Sequence, residues 1–89
     1  MYPDDPVANL NAANSAIIRK DYRNALRYLE KASDLPEASY ARAVLEIYMD
    51  NSNAAKPYLE KAQRLGVSQA GEVLKEISVN RNFYKMNNQ

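Results

Sequence analysis

The 89-residue chain has no cysteine, which excludes disulfide staples, zinc-thiolate sites and thiol catalysis and leaves the redox compartment open. Histidine is absent too. The usual general base near neutral pH and the commonest metal ligand are therefore missing, and proton transfer falls to carboxylates, lysine and tyrosine. Glycine occurs only at Gly66 and Gly71, so no glycine-rich loop can cradle a phosphate. Neither sign of charge dominates: twelve basic against eleven acidic residues give +1, without the electrostatic footprint of a nucleic-acid binder. No apolar run reaches the roughly 18 residues that span a bilayer, so direct membrane insertion is not expected. A chain this short forms one domain at most, with a modest core.

What the chain does contain is a repeat. Tyr28-Leu29-Glu30-Lys31-Ala32 returns thirty positions later as Tyr58-Leu59-Glu60-Lys61-Ala62. The same shift pairs Pro6 with Pro36, Ala8 with Ala38, Ala13 with Ala43, Ile17 with Ile47, Ala25 with Ala55 and Leu35 with Leu65. Self-similarity at such a period marks stacked units, none of which buries its apolar face alone.

Within the units the apolar spacing is helical. Asp5 or Asp4 is expected to cap a first helix with Pro6 in its first turn, running to about Lys20. Its stripe is Val7, Leu10, Ala13 and Ile17, thickened by Ala8, Ala12 and Ala16. Asp21 is expected to cap a second helix whose stripe is Tyr22, Ala25, Leu26, Leu29 and Ala32, with Arg23, Arg27 and Lys31 on the opposite face. Asp34-Leu35-Pro36 ends it and starts a third, reaching about Met49. Ala38, Ala41, Leu45 and Tyr48 lie along one side of that helix, beside Val44 and Ile47. A turn at Asp50-Asn51-Ser52-Asn53 introduces the fourth helix. With Asn53 or Ala54 as its cap, Pro57 falls in the first turn. Ala55, Tyr58, Leu59, Ala62 and Leu65 repeat the second stripe, and Gly66 supplies a left-handed stop. Ser68 caps a fifth helix with Ala70, Val73, Leu74 and Ile77 on one face. From Asn80 the chain turns polar, interrupted by Phe83, Tyr84 and Met86, and a marginally ordered tail is expected.

Pro6-x-Ala8, Ala12-Ala13, Lys20-Asp21-Tyr22, Ala25, Leu29 and Ala32 together resemble the tetratricopeptide repeat. In that family small residues let paired helices approach closely, and Ala13, Ala25 and Ala32 fill those places, as Ala43, Ala55 and Ala62 do in the second unit. The resemblance implies an all-α fold, a right-handed α-α superhelix of two helical hairpins plus a C-terminal capping helix. Repeat one is 6–35, repeat two 36–65, the capping helix 67–80 and the flexible tail 81–89. Two departures stand out. The family period is about 34 against thirty here, so each second helix should be about a turn shorter. The large aromatic near the start of each unit is replaced by Asn9 and Ser39, which keeps the Sel1-like helical repeat as the nearest alternative. The opening Tyr-Pro-Asp-Asp-Pro is similar to the joint between repeats, as in the helical tails that follow membrane-anchored domains in some bacterial envelope proteins. That likeness implies a chain continuing upstream of Met1 and a location on the periplasmic side.

The resemblance implies a protein-protein interaction module that binds a peptide or partner helix on the concave face of its first helices. Leu10, Asn14, Ile17, Tyr40, Val44 and Tyr48 would face that groove. Ile17 and Val44 also read simply as core. Asn14 can bond a peptide backbone, and Tyr40 offers broad contact at low entropy cost. The family's carboxylate clamp needs lysine where Leu10 stands and asparagine at both Asn14 and Val44, so chaperone-tail capture is not expected. Arg23, Arg27 and Lys31 read as a solvated face. The acids are too scattered for paired acid-base work. No catalytic residue, metal site or cofactor is assigned, and the partner is another protein. A structural spacer or weakly self-associating unit is the alternative.

Overall fold

Among residues 5–77, which the computed structural model describes, the chain is helical wherever the repeat sets an apolar stripe. The helices are α1 (Pro6–Ile18), α2 (Tyr22–Lys31), α3 (Pro36–Tyr48) and α4 (Ser52–Arg64). A further helical stretch, α5, occupies 69–77. No strand occurs among the described residues, and the fold is all-α. The opening residues 1–4, the end of the expected capping helix at 78–80 and the tail at 81–89 lie outside the described residues.

Helix starts follow local chemistry. Asp5 caps α1, its Oδ1 accepting from the Val7 amide at 3.0 Å, and Pro6 takes the first helical position where an N–H is not needed. Leu35, held extended at ψ 136 by the following proline, opens α3. Two caps differ from expectation. Asp21 occupies the cap position of α2, but its carboxylate accepts from the Asn24 side-chain amide at 2.8 Å instead of a backbone N–H. In α4 the cap is Asn51, because the chain has already turned at Asp50 and is helical from Ser52. Pro57 therefore lies in the second turn, inside the helix, where it lacks an amide for the ladder.

Three helices end in the same way. After α1, the Asp21 amide donates to the Ala16 carbonyl at 2.8 Å and the Lys20 amide to Ile17 at 3.0 Å, with Lys20 left-handed at φ 64. Thirty residues on, Asn51 donates to Glu46 and Asp50 to Ile47 at the same two distances, with Asp50 at φ 63. Val67 and Gly66 repeat the pattern on Ala62 and Gln63, with Gly66 at φ 98. This is the Schellman arrangement, which satisfies carbonyls that a helix end would otherwise leave open. It explains why α1 stops at Ile18 instead of Lys20, and α3 at Tyr48 instead of Met49.

Packing is built on alanine. Ala13 and Ala43, Ala25 and Ala55, Ala32 and Ala62 are equivalent pairs with 0% exposure throughout. Small side chains let α1 lie against α2 and α3 against α4, while α3 also meets both α1 and α2. One core cluster joins Ala13, Ala16, Ile17, Ala25, Leu29, Ala32, Ala38, Ala41 and Leu45. A smaller one joins Ala43, Ala55, Leu59, Ala62 and Ala70, with Val73, Leu74 and Ile77 of α5 packed on it. The expected stripes need three corrections. Val7 is exposed, since at about 100° per residue it shares the outer arc of α1 with Ile18, and Asn9 and Ala16 bury in its place. Tyr48 ends α3 on its exposed side, and Leu65 is exposed because it is already the C-cap of α4. The Asn9 side chain is buried and donates to the Asp5 carbonyl at 2.9 Å, so its amide is satisfied locally.

Candidate functional site

Two helices from different units, α1 and α3, leave a groove of about 310 Å³ between them. From α1 come Leu10, Asn14, Ile17 and Ile18; from α3 come Glu37, Tyr40, Ala41, Val44 and Tyr48. All six residues expected at a binding face, Leu10, Asn14, Ile17, Tyr40, Val44 and Tyr48, thus line one groove. Their roles differ. Ile17 is buried and belongs to the larger core cluster, against which Leu10 and Val44 are packed, so these three form the floor. Tyr40 leans on the smaller cluster. Asn14 is exposed, and its amide has no protein partner among the described residues.

Ile18, Glu37 and Ala41 complete the lining, and the repeat likeness does not place them in the groove. Ile18 is 78% exposed. It lies off the buried stripe, and the detectable signal was a large apolar residue on the arc of α1 that also carries Asn14. Glu37 places the single formal charge of the groove. Among the described residues the lining offers apolar contact, the Asn14 amide, the Glu37 carboxylate and the phenols of Tyr40 and Tyr48.

A second cavity, about 160 Å³, opens on the opposite flank of α3. Leu29, Glu30 and Ser33 line it from the first unit, Ala38, Ser39 and Arg42 from α3, and Tyr58 and Lys61 from α4. Beside it lies a polar network that the stripe pattern did not reveal. Glu46 is buried, accepting from Arg42 Nε at 3.1 Å on one oxygen and from Asn51 Nδ2 at 3.0 Å on the other. The Arg42 guanidinium stands over the Tyr58 ring, 4.9 Å from its centre.

Arg23, Arg27 and Lys31 are exposed along α2, as a solvated face requires. Among the described residues no group of three or more acidic ligands gathers as a metal centre, and no helix is long and apolar enough to cross a membrane. No known family model matches the chain, and no curated protein and no solved structure matches it either.

Proposed function

We propose that the chain is a non-enzymatic protein-interaction module of the tetratricopeptide type, a right-handed α-α superhelical unit that receives a peptide or partner helix in the groove between α1 and α3. The observation that carries this reading is the convergence of Leu10, Asn14, Ile17, Tyr40, Val44 and Tyr48 on one groove, contributed by the first helix of each unit. Its rim exposes Ile18 and, at 55%, Tyr48. Covering a large apolar side chain is worth about 1.5 to 3 kcal/mol, so the two rim anchors offset part of the cost of association, with the floor of Leu10 and Val44 and the polar contacts adding to them. Asn14 supplies a backbone contact and Glu37 selects a basic residue in the ligand.

Panning a random peptide library against the wild-type chain tests this. Enriched peptides should carry apolar anchors and a Lys or Arg, and should bind Tyr48→Ala about ten-fold more weakly, with Arg27→Ala on the outer face unaffected. Enrichment insensitive to Tyr48 would refute the groove as the site. The same exposed Ile18 and Tyr48 favour a second reading, self-association. Light scattering separates the two, since a dimer that Ile18→Asp dissolves would assign the face to a second copy.

A further inference from the structure

Unit one is an internal control for unit two. The thirty-residue shift that equates the two places Ala12 opposite Arg42 and Ala16 opposite Glu46. Ala16 fills its buried place with 0% exposure, and the helix end around it has the same backbone bonds as that around Glu46. The fold therefore does not require an ion pair there, and taking a carboxylate out of water is costly unless something is gained. What the pair gains is an arginine held in one pose. Asn51 fixes the Glu46 carboxylate, Glu46 holds Nε, and the guanidinium lies over the Tyr58 ring. The two terminal guanidinium nitrogens have no protein partner among the described residues and are not closed off from solvent. They belong to a side chain that lines the 160 Å³ cavity with Ser33, Ser39 and Lys61.

From this we infer that the cavity between α2, α3 and α4 is a receptor for one carboxylate side chain, an Asp or Glu presented by a partner protein, bound by the Arg42 fork. A guanidinium with its Nε occupied still offers two parallel donors, the geometry a carboxylate accepts. Charge decides for a monoanion. Arg42 and Lys61 are balanced formally by Glu46 and Glu30, so a dianionic phosphate meets two nearby carboxylates without surplus positive charge. Size decides for a side chain, because ligand pockets that enclose whole small molecules run to about 300 Å³ or more. The site lies on the flank of α3 away from the α1–α3 groove and stands whether or not the groove binds a peptide.

Amide chemical-shift titration of the whole chain tests it, with five probes at matched ionic strength. They are a blocked pentapeptide with a central Glu, the same peptide with Gln, sodium acetate, acetamide and inorganic phosphate. The Glu peptide should shift the amides of Ser39, Arg42, Tyr58 and Lys61 and bind at least about ten-fold more tightly than its Gln counterpart. Acetate should act weakly at the same amides, and phosphate more weakly still. Arg42→Lys, which keeps the charge and loses the fork, should lower Glu-peptide affinity about ten-fold with unchanged circular dichroism. The double variant Arg42→Ala with Glu46→Ala, which copies unit one, should stay folded and lose the response. Equal binding of the Glu and Gln peptides, undiminished binding by Arg42→Lys, or phosphate outdoing acetate would each overturn the assignment. Acetate binding as tightly as the peptide would overturn the protein source, and unfolding of the double variant would overturn the premise that the pair is dispensable to the fold.

Discussion

Three Schellman ends with three different residues in the left-handed position make a graded experiment. Gly66 stands at φ 98, outside the left-handed region that L-residues tolerate, and a Cβ built there meets nothing within 4 Å. The cost of Gly66→Ala is therefore backbone strain, about 1 to 2 kcal/mol for a left-handed L-residue, less about 0.5 kcal/mol because alanine restricts the unfolded chain. No packing term can raise it or hide it. Lys20, at φ 64, already bears such a cost. Lys20→Gly removes about 1 kcal/mol of strain but loosens the unfolded chain by about 0.5 kcal/mol, for a net gain of about 0.5 kcal/mol. Asp50, at φ 63, is of a type that visits this region more readily, so Asp50→Gly should be close to neutral.

Urea melts followed by far-UV circular dichroism give the three differences. In a domain this small each kcal/mol moves Tm by about 4 to 8 °C, so thermal melts provide a second reading. The order expected is Lys20→Gly above Asp50→Gly above wild type or level with it, and Gly66→Ala below all. A neutral Gly66→Ala would refute the left-handed stop. A destabilising Lys20→Gly would mean that the lysine side chain contributes something its exposed position does not suggest.

The remaining expectations concern the interior and α4. Pro57→Ala should stabilise by about 2 to 2.5 kcal/mol, because the ring is exposed and an internal proline costs about 3 kcal/mol, less the roughly 0.4 to 1 kcal/mol by which it restricts the unfolded chain; an unchanged urea midpoint would show the helix already bent to fit it. Ala32→Leu should destabilise by about 1 to 3 kcal/mol by overpacking a site with 0% exposure, and a thermal melt equal to wild type would refute its place between helices. Gly71→Ala should stabilise by about 0.8 to 1 kcal/mol, since the new Cβ meets only the Gln63 side-chain amide, 2.8 Å away at the end of an exposed chain that can swing clear; a loss of stability would show that Gln63 is held. Hydrogen exchange should find α4 less protected than α1, because the smaller cluster has Leu59 as its one large buried side chain and carries the proline, while the larger has Ile17, Leu29 and Leu45. Equal protection across both helices would indicate a single cooperative unit.

Helix number, order and the alanine contacts were legible because each rests on spacing that survives in the linear sequence. Ala25, Leu29 and Ala32 fall three and four apart and are buried, as are Ala55, Leu59 and Ala62. The six groove residues were legible through the same periodicity combined with the repeat likeness. Helix ends were less so. Gly66 announces a left-handed stop by its side chain, whereas Lys20 and Asp50 adopt one through hydrogen bonds whose partners the sequence does not mark. Mistaking the turn at Asp50 for a longer loop is what moved the expected cap to Asn53 and placed Pro57 a turn too early. Val7 was misplaced because an apolar residue in the first turn fits a stripe by spacing even when the neighbouring helix leaves that arc uncovered.

Glu46 and Arg42 were invisible for a different reason. A stripe search asks which positions are apolar, so a charged residue at i and i+4 is assigned to water by default. In repeats a sharper question is available, namely which positions change character between units that share a backbone. Ala16 and Glu46 end equivalent helices with the same bonds, and both are buried. Where the backbone is held constant, the helix end itself does not call for a carboxylate, because alanine fills the equivalent place in unit one at no cost in desolvation. The substitution must then be sought in what unit two does and unit one does not. Beside Glu46, and not beside Ala16, the described residues place an arginine held by Glu46 and Tyr58 at the wall of a cavity.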